Sequence, residues 1–283
     1  MSIIYLITII LGCAFQNVSK KTYSQRTAGK GAFTFALIAG GATTLFFLLT
    51  SHGLDWNTKL IPYAIFFALS YSLATVFSTY ALSCGSLSFT ALIISYSLTI
   101  PTLYGLIFLN EPISIGLIPG IVLLMISLFL INSPSNRSIS ITSKWVIYVI
   151  LAFIGNGVCS VAQKMQQTAF DGAYKNEFMI ISLVIVVVIL FLLSLKVDKG
   201  NIGKFAKSGW YLAIICGVLN GVVNLFVMIL SNIIPVSLMF PLISAGGIIL
   251  TYFLSKYMYK EQLTKRQLIG FIIGILSIIS LNI

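Results

Sequence analysis

Ten apolar runs, each close to the length of a membrane-crossing helix, dominate this chain. They are Ser2–Val18, Gly31–Thr50, Leu60–Leu82, Ser86–Leu109, Ile113–Ile131, Trp145–Met165, Phe178–Leu195, Trp210–Leu230, Val236–Ser255 and Leu263–Leu281. About 20 apolar residues span a bilayer as a helix. Strands that do not close into a barrel would leave backbone amides unpaired in hydrocarbon, and these runs lack the alternating polarity of barrel strands. The sequence therefore predicts an all-α polytopic membrane protein. Composition agrees: 58% of residues are hydrophobic and 8% are charged, against roughly 25% charged in a soluble domain. That leaves too little polar surface to cover a globule in water.

The closing segment has an echo earlier in the chain. With Glu261 set on Glu111, Leu263 falls on Ile113, Thr264 on Ser114, Gly270 on Gly120, Ser277 on Ser127 and Asn282 on Asn132. The other ends match too: Tyr5, Gly12 and Lys21 meet Tyr148, Gly155 and Lys164 at one constant offset. Residues 1–132 and 145–283 thus read as two five-helix repeats, joined by a Ser- and Asn-rich connector at 133–144. An odd number of spans makes the second repeat enter the bilayer from the opposite side. Ten transmembrane helices as two inverted five-helix repeats is an arrangement of transporters, with the site at the midplane between the halves.

Formal net charge is +11. The lysines and arginines sit between apolar runs instead of forming one basic face, so they read as topology signals and no nucleic-acid partner is expected. One set of loops holds Lys20, Lys21, Arg26, Lys30, Arg137, Lys144, Lys196, Lys199, Lys204, Lys207, Lys256, Lys260, Lys265 and Arg266. The other holds Lys59, Lys164 and Lys175. The richer side is expected to be cytoplasmic, with both termini outside. All three tryptophans, Trp56, Trp145 and Trp210, fall at predicted helix starts, at headgroup level. Cys13, Cys84, Cys159 and Cys216 are scattered singly and give no disulfide framework. The first run lacks a positive flank and a cleavage site, so it reads as a retained span.

With its acidic turns FLNEPIS and YKEQLTKRQLIG, each followed by a glycine-bearing helix, the chain resembles the EamA-type family of the drug/metabolite transporter superfamily. The resemblance implies a helical bundle with a central cavity that works by alternating access on small metabolites, many members exporting amino acids or related compounds. It makes Glu111 and Glu261 the turn acids, and Lys21 and Lys164 the lysines closing the first helix of each repeat. Two features depart from the family: its members are commonly placed with cytoplasmic termini, and the proline before the turn acid is displaced in both halves (Pro101 and Pro241).

No catalytic motif is present. The stretch Ala28-Gly29-Lys30-Gly31 lacks the first glycine and the hydroxyl of a P-loop. The single histidine, His52, supports no metal site, and no cofactor is expected. The six acids, Asp55, Glu111, Asp171, Glu177, Asp198 and Glu261, fall in turns or helix ends. With no mid-membrane carboxylate, recognition is expected from neutral polar groups, with lysines at the cavity mouths.

The candidate substrate-binding residues are Gln16 and Asn17 in the first run, Tyr71 in the third, Tyr96 in the fourth, Asn156, Ser160 and Gln163 in the sixth, and Asn220 and Asn224 in the eighth. Asn156/Ser160 and Asn220/Asn224 are i, i+4 pairs, each on one helix face. Each of these residues also has a packing reading, as an interhelical hydrogen-bonding group. Lys21, Lys164, Glu111 and Glu261 are candidates for gating or for fixing topology. The expected function is secondary transport of a small polar metabolite, as a monomer or homodimer in a bacterial cell membrane. The alternative is a flippase or partner subunit for a lipid-linked envelope substrate.

Overall fold

The computed structural model describes residues 2–51, 54–108, 115–116, 119–120, 122–123, 126–127, 130, 142–230, 236–260 and 263–281. Glu111, Glu261, His52, Asn132, Asn282 and most of the 133–144 connector lie outside the described residues.

Among the described residues the structure is helical, without strands. The helices are α1 (Ser2–Arg26), α2 (Ala32–Thr50), α3 (Ile61–Cys84), α4 (Leu87–Ser95), α5 (Thr99–Phe108), α6 (Ser143–Ala169), α7 (Lys175–Val197), α8 (Ile202–Leu230), α9 (Val236–Met258) and α10 (Lys265–Leu281). The described residues between 119 and 130 are helical too. Among the described residues six helices, α1, α2, α3, α6, α7 and α8, are long and apolar enough to cross a membrane, and the apolar stretches 87–101 and 242–258 are shorter. Val188, Phe191 and Leu195 on α7, and Leu45 and Leu48 on α2, are exposed, as side chains are where lipid is the solvent.

Local chemistry sets several boundaries. Ser86 caps α4 by accepting from the Phe89 amide at 3.1 Å, and Thr142 caps α6 by accepting from the Trp145 amide at 3.2 Å. At α10, Thr264 and Gln267 form a reciprocal capping box: the Gln267 amide donates to Thr264 Oγ1 at 3.3 Å and the Thr264 amide to Gln267 Oε1 at 3.1 Å. The start of α2 is capped from a distance. Its N-cap, Gly31, has φ 73° and no side chain to offer. Asp198, buried at the end of α7, instead accepts from the Thr34 amide at 2.9 Å and from Thr34 Oγ1 at 2.6 Å. A carboxylate at a helix N-terminus is favoured by both the dipole and the free amides.

Three elements differ from the sequence reading. The first helix continues past Val18 to Arg26, so Lys20 and Lys21 lie on α1 and not in a loop. The apolar run 86–109 is broken by a 3-10 turn at Tyr96–Leu98, and α8 begins at Ile202 and kinks at Gly209. Trp145, at the start of α6, faces the bundle. It is 4% exposed, packed against Phe89 and Leu92, with Nε1 donating to Thr90 Oγ1 at 3.0 Å. Trp56 and Trp210 are exposed.

Packing between the halves is reciprocal. α1 lies along α8 and α6 lies along α3; α2 lies along both α7 and α8, while α7 also lies along α3. Glycines permit the closest approaches. A Cβ on Gly155 would stand 2.6 Å from the Ala74 amide nitrogen on α3, and one on Gly12 would stand 2.5 Å from Val223 Cγ2 on α8. At the far end of the bundle, Ser127 Oγ donates to the Gly270 carbonyl and Ser277 Oγ to the Gly120 carbonyl, each at 2.8 Å. In sequence, Ser277 corresponds to Ser127 and Gly270 to Gly120. Residues that the two expected repeats set on one another are thus bonded crosswise.

Candidate functional site

Between α1, α3, α4, α6, α8 and α9 lies a cavity of about 240 Å³. Its polar wall comes from both halves of the chain. α1 contributes Gln16, Asn17 and Lys20; α3 contributes Tyr71; α6 contributes Asn156, Ser160 and Gln163; α8 contributes Asn220 and Asn224. Ser95 on α4, and Ser244, Gly247 and Thr251 on α9, close the opposite side, with Ile9, Ile94, Val223, Val227 and Ile243 as apolar lining.

Asn220 is the hub. Its Oδ1 accepts from Tyr71 Oη at 2.9 Å and from Asn224 Nδ2 at 3.0 Å, and its Nδ2 donates to Gln16 Oε1 at 3.1 Å. Asn224 Oδ1 in turn accepts from Gln163 Nε2 at 3.1 Å. One backbone group fixes the polarity of this chain of amides. Asn224 Nδ2 also donates to the Asn220 carbonyl at 2.8 Å, so its nitrogen must face that way. The orientations of Asn220, Gln16 and Gln163 then follow in sequence, because each contact needs one donor and one acceptor. The network links α1, α3, α6 and α8. On α6, Asn156 Nδ2 donates to Ser97 Oγ in the 3-10 turn at 2.7 Å, and Ser160 Oγ donates to its own helix at the Asn156 carbonyl.

Of the nine candidate binding residues, the structure gathers eight on this cavity and leaves out Tyr96. That side chain is buried beside Ser127, and its Oη donates to the Gly274 carbonyl at 3.3 Å. Lys21 is 9% exposed and its Nζ donates to the Leu82 carbonyl at 2.9 Å and to the Gly85 carbonyl. It satisfies carbonyls at the C-terminal end of α3, where a cation suits the helix dipole. Lys164 is half-buried on α6 and does not line the cavity.

Lys20, Ser95, Ser244 and Thr251 are polar lining residues outside the candidate set, and Lys20, counted in the sequence only as a topology signal, is the charged one among the described lining residues. Its Nζ donates to Ser78 Oγ at 3.1 Å, and Ser78 Oγ in turn donates to the Thr75 carbonyl at 3.0 Å. The signal was present in the spacing: Gln16 and Lys20 are i, i+4 on one face of α1, a face that continues back through Cys13 and Ile9. Among the described residues, no group of three or more His, Cys, Asp or Glu side chains is arranged to hold a metal ion.

Residues 143–283, which run from α6 through α10, match the model of the EamA-like transporter family. The chain belongs to the EamA-like transporter family. Its members are membrane transporters within the drug/metabolite transporter superfamily, and this EamA chain is an integral, multi-pass membrane protein. No curated protein matches it. One solved crystal structure, 10% identical, superposes with a TM-score of 0.65 over 99% of this chain and 95% of its own. At that identity the likeness is one of fold.

Proposed function

We propose that this EamA-family chain carries a small polar metabolite through the amide-lined cavity by alternating access between two inverted repeats of five membrane helices. The carrying observation is the cavity itself. Asn220, at its centre, joins Gln16 and Tyr71 of the first half to Asn224 and Gln163 of the second. A substrate at that junction touches both halves at once, and rocking one half against the other exposes it to either side in turn. The reciprocal seam of Ser127 and Ser277 supports the two-fold relation that gives inward-open and outward-open states similar energies. Gln16, Asn17, Tyr71, Asn156, Ser160, Gln163, Asn220 and Asn224 are the proposed binding residues. Export of an amino acid or related compound is the direction that the family resemblance favours.

The test is a thermal-shift screen of the purified full chain in detergent. The panel contains neutral and charged amino acids, nucleosides, sugar phosphates, quaternary amines and lipid headgroups. A ligand at 100 times its dissociation constant stabilises a fold by about 2.7 kcal/mol. The expected result is stabilisation by a soluble metabolite that Asn224→Leu removes. Stabilisation by headgroups alone, or by nothing on the panel, overturns the reading in favour of a flippase or partner subunit.

A further inference from the structure

The cavity has a charge polarity as well as a shape. We infer that it is built to seat an anion: a carboxylate on the transported molecule, received by the ammonium of Lys20 and the free amide N–H groups of Gln16, one turn apart on α1. This rests on the cavity being the transport site and names the class of substrate that the site takes.

Three independent observations converge. First, Lys20 is the only charged side chain among the described residues lining the cavity, and no carboxylate lines it. A lysine ammonium has three donors. One is spent on the neutral hydroxyl of Ser78. A cation on a partly enclosed, low-dielectric surface is stabilised by a counter-charge, and the described protein places none in the cavity.

Second, the amide chain presents donors. The Asn220 carbonyl pins the nitrogen of Asn224, which turns Asn220 Nδ2 toward Gln16 and makes Gln16 Oε1 the accepting atom. The oxygens of Gln16, Asn220 and Asn224 are all engaged as acceptors. The Gln16 nitrogen and its two N–H groups are left over, on the same face of α1 as Lys20. The separation of the two residues is one helical turn, about 6 Å of rise, close enough for one small anionic group to engage both side chains.

Third, the facing wall holds unspent hydroxyls. Ser244 Oγ and Thr251 Oγ1 on α9 are buried and have no hydrogen-bond partner, and both residues line the cavity. α9 runs parallel to α1, as the pairs Gly246–Ile10 and Tyr259–Thr22 fix. Thr251 therefore stands opposite Gln16 in depth. Buried hydroxyls are normally satisfied; a carboxylate oxygen or its water is the acceptor that Thr251 lacks, while Ser244, about two turns away on α9, lines the part of the cavity left for the rest of the molecule. The remaining amides, Asn156, Asn224 and Gln163, lie on α6 and α8 to hold the rest of the molecule, and the 240 Å³ volume limits it to roughly amino-acid size.

The experiment uses the full chain in nanodiscs and three matched pairs of probes at constant ionic strength: lactate with lactamide, alanine with alaninamide, and phenylalanine with phenylalaninamide. Each pair differs in its carboxylate. At least one acid is expected to raise the melting temperature while its amide does not. Lys20→Gln is expected to weaken that acid at least about tenfold, the scale of a lost charge-assisted hydrogen bond, and Lys20→Arg to retain it. An amide that binds as well as its acid, an acid that binds Lys20→Gln undiminished, or the absence of stabilisation by any acid overturns the proposal. Asn224→Leu separates this failure from that of the site. If an amide stabilises the protein and Asn224→Leu abolishes the effect, the cavity is the site but not an anion site. If neither Lys20→Gln nor Asn224→Leu alters any probe, both readings fall. Melting temperatures without ligand show whether each variant is folded.

Discussion

The serine seam and the amide cavity are built from the same material, polar side chains inside apolar helices, and they use it in opposite ways. At the seam, Ser127, Ser277 and Ser280 each donate to the backbone carbonyl of a glycine on a neighbouring segment, Gly270, Gly120 and Gly116. The glycines let backbones approach until hydroxyl and carbonyl meet, and Tyr96 is held in the same contact region. Among the described residues these serine hydroxyls are spent on backbone carbonyls. In the cavity the amides bond mainly to one another across side chains, and Asn156, Asn220 and Gln16 keep N–H groups to spare. Helices held apart by long polar side chains leave a void lined with unspent groups. A polar residue in a membrane helix is thus glue when its partner is a neighbouring backbone, and lining when its partner is another long side chain.

The comparison can be broken at its packing end first. Gly155→Val drives a side chain into the Ala74 and Ser70 backbone of α3, where neither partner can rotate away. Overpacking of this kind costs about 1–3 kcal/mol or more, and size-exclusion chromatography should show most of the protein aggregated or lost. The cavity counterpart is Gly247, where an added Cβ meets nothing within 4 Å. Gly247→Leu is expected to fill the void, leave the unliganded melting temperature unchanged and abolish ligand stabilisation. A large loss of fold there would mean the space is not open.

Smaller effects sharpen the contrast. Asn220→Leu removes the hub and leaves Tyr71 and Gln16 without it, but facing a wet cavity. The fold should lose about 1 kcal/mol, the usual worth of a hydrogen bond, while ligand affinity drops at least tenfold in isothermal titration. The smallest effect belongs to the seam. Ser127→Ala and Ser277→Ala should each cost about 0.6 kcal/mol, the average for interhelical hydrogen bonds in a bilayer. Equal costs in denaturant unfolding, with ligand binding unaltered, would match their reciprocal positions, whereas loss of binding would move the seam into the site.

Much of this was readable before any coordinates. Long uncharged runs dictate membrane helices because the backbone has no other way to satisfy itself in lipid. The pairing of Glu111 with Glu261, and of Gly12 with Gly155, is the sequence basis for expecting two related halves. Glycines 12 and 155 turned out to mark the close crossings of α1 on α8 and of α6 on α3. The amides stood out because an amide is costly in lipid and must be given a partner.

What the sequence could not rank was neighbours. Lys20 and Lys21 are adjacent, equally charged and at the same depth, yet a helix turns about 100° per residue. One faces the cavity beside Gln16, and the other caps the end of α3. Tyr71 and Tyr96 sit in similarly polar runs, but only Tyr71 has Asn220 within reach. Trp145 begins its helix as an interfacial tryptophan would, and is buried because Thr90 and the bare backbone of Gly85 make room for it. Periodicity assigns a residue to a face of its own helix. Which helix that face meets, and whether the meeting leaves a contact or a void, is a property of the packed bundle and arises only when both halves are in place.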